Sequence, residues 1–218
     1  MKKKVPPYHH GNLKKALLEA SVDLIGTAGV SAFTLREVAR RAGVSHNAPY
    51  RHFHDKDDLL NAVAAEGFDN LTQSMARSAA SGRTALEKLR LSGRGYVDFA
   101  LRFPQHFLVI FESPRPEKVN PESRMAGERA FGALTRCIEE CQKEGSLPGT
   151  DTIRLALLAW SLVHGIAKLA SNGRFPFSRT KDVLAFTDMA TRTFLCGIAK
   201  MPDKTDPKLC ARSLVPTN

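Results

Sequence analysis

Leu13, Leu17, Ala20, Leu24 and Ala28 recur every three or four residues, the spacing that lines one face of an α-helix, and Gly29 follows where such a helix would close in the left-handed conformation. Thr34 precedes Leu35-Arg36-Glu37-Val38-Ala39, with Glu37 at the position that completes a capping box, and Gly43 supplies the next stop. The second helix is therefore under three turns long. Ser45 offers another N-cap and predicts a third short helix over residues 46–53. Pro49 falls where that helix would first donate to its own ladder, so the proline removes one bond near the start. From Lys56 a longer period runs through Leu60, Ala64, Gly67, Leu71 and Met75, with Asp55, Asp57 and Asp58 at its positive N-terminal end. Further helical spacing covers 83–102, 104–111, 121–143, 151–171 and 180–199, with the prolines falling almost entirely between long proline-free stretches. No stretch alternates like a strand. The pattern predicts an all-α chain of about nine helices.

Composition adds limits. Hydrophobic residues at 43% and charged residues at 25% exclude a wholly disordered chain, a collagen and a coiled-coil rod, and 218 residues suit one bipartite body. The net charge of +10 is unevenly placed. Residues 1–54 hold nine Lys and Arg against three acids, together with five of the seven histidines. A small basic module joined to a near-neutral body favours nucleic acid over a general solubility charge. The expected organisation is a helix-turn-helix module over 1–54, a larger helical domain over 55–200, and a flexible tail over 201–218, where Pro202, Pro207 and Pro216 interrupt polar sequence.

Lys2-Lys3-Lys4 resembles the start of a signal peptide, but Pro6, Pro7, Tyr8, His9 and His10 follow in place of an apolar stretch. No run approaches the 18 apolar residues of a membrane span, so the expectation is a cytoplasmic protein without a membrane partner. Four cysteines are too few for a disulfide scaffold and read as free thiols. Cys137 and Cys141 lie one helical turn apart; they fit small core residues, and a redox or metal sensor is the sharper alternative. His9 with His10, and His52 with His54, lack a third partner and read as solvated or phosphate-facing groups, with no metal or other cofactor implied. Gly-x-Ser-x-Gly, His-Glu-x-x-His, Gly-x-Gly-x-x-Gly and a P-loop are all absent, so a helical enzyme, the rival from another class, has no visible address.

Two short helices separated by Ala42-Gly43-Val44-Ser45 fit a helix-turn-helix, and by spacing alone they also fit an ordinary helical hairpin. Residue content separates the two. The third segment offers His46, Asn47, Tyr50, Arg51 and His52, five groups able to bond base edges or phosphates, while Val44 and Phe53 can anchor a core. The run Phe33-Thr34-Leu35-Arg36-Glu37-Val38-Ala39, then Ala42-Gly43-Val44-Ser45, Ala48-Pro49-Tyr50-Arg51-His52-Phe53, and Lys56 before Leu59-Leu60 resembles the DNA-binding domain of the TetR/AcrR family of bacterial repressors over about residues 12–70. The stretch Trp160-Ser161-Leu162-Val163-His164-Gly165 resembles the ligand-sensing domain named for a Trp-His-Gly motif.

The resemblance implies a homodimer that docks two recognition helices in the major groove of a palindromic operator and is released, as a repressor, by a small molecule. His46 and Asn47 would meet bases or adjacent phosphates, Tyr50, His52 and Lys56 would hold phosphates, Thr34 and Arg36 would face the backbone, and Ser45 and Arg51 complete the DNA-facing set. It also implies a ligand cavity, for which Tyr96, Phe99, Phe103, Phe107, Phe111, Trp160 and His164 are the candidates. An aromatic stripe is equally a core, and His164 equally a satisfied core histidine. Segments 151–171 and 180–199 carry more apolar surface than one face of a monomer buries and are the expected dimer interface. A DNA-binding dimer without a ligand is the remaining alternative.

Overall fold

The structure, a computed structural model, describes residues 13–112 and 118–199. The lysines at 2–4, His9, His10, Cys210 and the proposed tail lie outside the described residues. Eight α-helices follow one another: α1 (Leu13–Ala28), α2 (Leu35–Arg41), α3 (Lys56–Ala79), α4 (Ala85–Arg102), α5 (Pro104–Glu112), α6 (Pro121–Lys143), α7 (Thr152–Ser171) and α8 (Thr180–Ala199). A 3-10 turn at Pro49–Arg51 stands where the third helix was expected, and no strand occurs among the described residues. The fold is all-α.

That turn corrects the expectation of a helix over 46–53 opened by Ser45. Residues 46–48 form turns, and no side chain caps Pro49–Arg51, which Ala48 precedes. The reason is Pro49, which has no N–H to give to the Ser45 carbonyl. The Ala48 N–H takes that carbonyl at 2.9 Å, and His52 N–H and Phe53 N–H both reach Pro49 O at 2.9 Å. Bonds of mainly three-residue span tighten the segment into a single 3-10 turn.

Helix ends follow local chemistry. Thr34 Oγ1 accepts from Glu37 N–H at 3.3 Å while Glu37 Oε2 accepts from Thr34 N–H at 2.7 Å, so two orphan donors are met reciprocally. Gly43, at φ 70°, lets Val44 N–H turn back to Ala39 O at 3.0 Å, a Schellman closure that only a residue tolerant of positive φ completes without strain. Asp151 caps α7 by accepting from Ile153 N–H and Arg154 N–H at 3.0 and 3.2 Å.

The chain divides into two compact units, residues 1–73 with 99–130 and residues 74–98 with 131–218. In the first, Leu17, Leu24 and Ile25 of α1, Leu35 and Val38 of α2, Leu59 and Val63 of α3, Phe33, Phe53 and Val109 close one core. α5 rests on α1 through Gln105, whose amide lies where a Cβ on Gly26 would stand, 2.9 Å away. It rests on α3 through His106 and Ile110, which crowd Gly67.

In the second unit, α4 packs against α7 and α8 at Gly93, whose missing Cβ makes room for Val163 and Thr191. Arg90 and Arg94 of α4 both pair with Asp188 of α8. α7 buries Leu155, Ala156, Val163, Ile166 and Ala167 but exposes Ile153, Leu157, Leu158 and Leu169. Among the described residues it is the one helix with the length and apolarity of a membrane span, a test that core and interface helices of water-soluble proteins also pass.

Candidate nucleic-acid interface and ligand-sensing residues

The 3-10 turn is pinned from within and dressed from without. Pro49 and Phe53 are buried, and Val44 half-buried, so the intervening side chains point outward. Arg36, Ser45, His46, Asn47, Tyr50, Arg51 and His52 are all exposed, and Tyr50 shows 54% of its surface. Exposing a tyrosine ring to water has a cost that a folded core would normally avoid. These seven residues offer donors, acceptors and cations to solvent from α2 and the turn after it.

Two members of the predicted set are already engaged. The Thr34 hydroxyl donates to Glu37 Oε2 at 2.9 Å as part of the cap, so its first task is to start α2. Lys56 is half-buried; its Nζ donates to Ser31 O at 2.9 Å and stands 4.4 Å from the Phe33 ring centroid. Burial pushes the Lys56 ammonium somewhat down from its usual range, with Asp57 and Glu37 opposing that. An ammonium has three N–H groups, so the Ser31 bond leaves donors for a phosphate.

α3 begins on a cap that sequence reading assigned only to the helix dipole. Asp55 Oδ1 accepts from Asp58 N–H at 2.9 Å, and Asp58 Oδ2 accepts from His54 N–H at 3.1 Å. The Asp58 N–H holds the Asp55 carboxyl below its usual range. His54 thereby belongs to the start of α3, its Nδ1 3.4 Å from Asp55 Oδ2. Among the described residues no three His, Cys, Asp or Glu side chains gather as a metal site would require.

The aromatic candidates separate into two groups. In the second unit, Trp160 Nε1–H donates to Tyr96 Oη at 3.1 Å, and Tyr96 Oη is 2.9 Å from His164 Nδ1. Phe131 meets the Trp160 ring edge-on at 6.2 Å. Burial pushes the Tyr96 phenol up and the His164 imidazole down, so both are neutral near pH 7. In the first unit, Phe99 stacks on Phe103 at 5.6 Å, Phe107 tilts against Phe111 at 5.0 Å, and Phe111 meets Phe68 edge-on at 6.3 Å. Phe99 and Phe107 are buried core members, whereas Phe103 and Phe111 are half-buried.

Sequence reading missed His106. It is only 7% exposed, meets the Phe103 ring edge-on at 6.0 Å, and its Nε2 has no hydrogen-bond partner. Burial pushes its imidazole down, toward the neutral form. A lone histidine inside a phenylalanine stripe was the available signal. Cys141 is buried, with its thiol pushed up to about 11, and burial also raises half-buried Cys137. Both stay protonated thiols near neutral pH, poorly suited to act as nucleophiles or redox sensors.

Comparison with known proteins agrees with this geometry. Residues 17–63 match the domain family described as bacterial regulatory proteins, tetR family, and residues 89–194 match the tetracyclin repressor-like C-terminal domain. The HTH-type transcriptional regulator Rv1816 of Mycobacterium tuberculosis is 22% identical over 201 residues, 79% of this chain and 86% of that protein. A solved structure of a protein with unknown function from Rhodococcus sp. RHA1 is 32% identical and covers 90% of this chain and 100% of that one, with a TM-score of 0.77. The fold is also that of FadR from Bacillus subtilis, solved in complex with stearoyl-CoA: 19% identity, 84% of this chain and 98% of that one, TM-score 0.68. With a tetR-type helix-turn-helix at one end and a tetracyclin repressor-like domain behind it, the chain belongs to the TetR family of DNA-binding transcriptional regulators.

Proposed function

We propose that this protein is a ligand-released repressor that acts as a homodimer on a palindromic operator. The observation that carries the reading is the exposed set of Arg36, Ser45, His46, Asn47, Tyr50, Arg51 and His52 around a turn whose inner face is locked by Pro49 and Phe53. His46 and Asn47 reach base edges from the start of the turn. Tyr50, Arg51, His52 and Lys56 hold phosphates, and Thr34 and Arg36 meet the sugar-phosphate backbone from the start of α2. The role is binding rather than catalysis, in keeping with the regulators to which the chain is related, and its place is the cytoplasm, where the operator lies.

The exposed leucines of α7 and Met189 of α8 favour a second copy of the chain as their cover. Two copies related by a twofold axis would present recognition turns about 34–36 Å apart, one turn of DNA. The effector is a small apolar or aromatic molecule held by one of the two aromatic groups, Tyr96 with Trp160 and His164, or Phe99 with Phe103, Phe107 and Phe111. The stearoyl-CoA bound by a protein of the same fold supports a long apolar ligand.

Selection of bound fragments from random DNA, followed by titration of the selected site, tests the reading. Affinity falls steeply between about 50 and 200 mM salt, because counterions are released when phosphates are neutralised. His46→Ala or Asn47→Ala relaxes preference at particular base pairs, whereas Tyr50→Ala or Lys56→Ala weakens all sites alike. Binding that ignores both salt and sequence would sink the proposal. Stearoyl-CoA and a panel of smaller aromatic acids then test the sensor: if no compound that raises the melting temperature also changes DNA affinity, the protein is a DNA-binding dimer without an effector.

A further inference from the structure

Asn61 lies in the second turn of α3 and is only 7% exposed. Its side-chain amide is fully committed. Nδ2 donates to Asp57 O at 2.9 Å within α3 and to Lys118 O at 2.8 Å, and Oδ1 accepts from Asn120 N–H at 3.0 Å. Asn120 in turn opens α6, its Oδ1 accepting from Ser123 N–H at 2.9 Å. One turn before Asn61, Asp57 forms an ion pair with Lys118. Residues 118–120 are therefore tied to the first two turns of α3 by two hydrogen bonds and an ion pair, all within the first compact unit.

The neighbour of Asp57 in sequence points elsewhere. Lys56 reaches Ser31 O and the Phe33 ring, in the loop between α1 and α2. The first turns of α3 thus have the helix-turn-helix on one side and the entry to α6 on the other. A buried amide that satisfies two main-chain groups of a distant segment sets a discrete position, because a small slip leaves both ends of the buried Asn61 amide short of a partner.

We propose that Asn61, Asp57, Lys118 and Asn120 form a clamp that positions the start of α3, and through Lys56 the loop that leads into α2, for DNA binding. This rests on the DNA-binding role given above. The residues touch no DNA; they hold the element that does.

Charge makes the test sharp. Asp57→Asn removes a negative charge from a DNA-binding unit, so electrostatics alone makes it bind DNA more tightly. The clamp requires the opposite: DNA affinity falls about tenfold, the size of an ordinary coupling between linked sites. Lys118→Met falls by a similar factor, and the double variant is no weaker than the weaker single one, since each removes the same ion pair. Asn61→Ala loses more. Salt slopes stay at the wild-type value in Asp57→Asn. Both partners of the ion pair are close to half exposed, so these variants fold even if Asn61→Ala does not. Independently of DNA, amide exchange at residues 56–60 and in the loop over 29–34 accelerates in every clamp variant. Wild type that fails to bind DNA would overturn the DNA-binding role; wild type that binds, with Asp57→Asn binding as tightly or tighter and exchange unchanged, would overturn the clamp.

Discussion

Gly95 on α4 lies against the backbone of Ser74 on α3: a Cβ at position 95 would stand 2.5 Å from the Ser74 carbonyl oxygen and 2.9 Å from Met75 Cα. Neither atom is the end of a flexible side chain, so the two helices must part to admit a methyl group. Gly95→Ala gains about 1 kcal/mol of helix propensity and loses more to the forced separation, for a net destabilisation of about 1–3 kcal/mol. Gly132→Ala on α6 meets only the mobile end of Arg136 at 3.3 Å and stabilises by up to about 1 kcal/mol. Urea unfolding of the two variants should move in opposite directions; a Gly95→Ala variant as stable as wild type or more so would show that α3 and α4 are not in close contact at Gly95.

Tyr96→Phe keeps the ring and removes the oxygen shared by Trp160 Nε1 and His164 Nδ1. Losing a hydrogen bond between part-buried groups costs about 0.5–1.5 kcal/mol. Trp160 is the sole tryptophan, so its emission reports the change directly. A variant with wild-type stability and an unshifted emission maximum would mean that the Tyr96 hydroxyl is not bonded there.

His106 should make stability depend on pH. Burial lowers its folded-state pKa below the ordinary 6.5, so on acidification the unfolded chain takes up a proton before the folded one does. Its contribution is fully present above about pH 6.5 and is lost as pH falls toward the depressed value. His164, lowered by burial, acts with the same sign. His106→Leu also removes the unpartnered Nε2, so at pH 8 the variant is at least as stable as wild type, and between pH 7 and 5 it loses less. Melting curves across that range check this, and parallel pH profiles for the two proteins would refute it.

Leu158 on α7 and Met189 on α8 are 55% and 58% exposed, so a glutamate at either position disturbs no internal packing. If a second copy covers these helices, Leu158→Glu or Met189→Glu yields a monomer in light scattering with the melting of a folded chain. DNA affinity falls roughly a hundredfold as the second recognition turn is lost. A dimer that survives both substitutions places its interface elsewhere.

Local features were the legible ones. The Thr34–Glu37 box, the Gly43 stop and the extents of α1, α2 and α6 follow from residues within a turn of each other, and the helices appear where the spacing puts them. The third segment misled because a helical pattern of exposed and buried residues is also produced by a tight turn, and the missing Pro49 N–H decides between them. Asn61 was out of reach for a different reason: its partners lie 57 and 59 residues away, and an asparagine inside a helical pattern looks like part of a solvated face. Tyr96, Trp160 and His164 could be marked as polar aromatics in apolar surroundings, but their bonding across 64 and 68 residues is tertiary information.

A recognition segment of one 3-10 turn limits how much each copy can read. Only a few side chains stand on it, and each well-made base contact is worth roughly 1–3 kcal/mol of discrimination. If the protein is the dimer proposed above, one copy distinguishes its half-site only modestly from random sequence. Joining two copies rigidly adds their discriminating free energies, so the ratio for the full site approaches the square of the ratio for one half. Selectivity in the proposed dimer would then reside in the spacing of its two turns as much as in their chemistry, and inserting a base pair or two at the centre of the selected site, with every contacted base left in place, should abolish it.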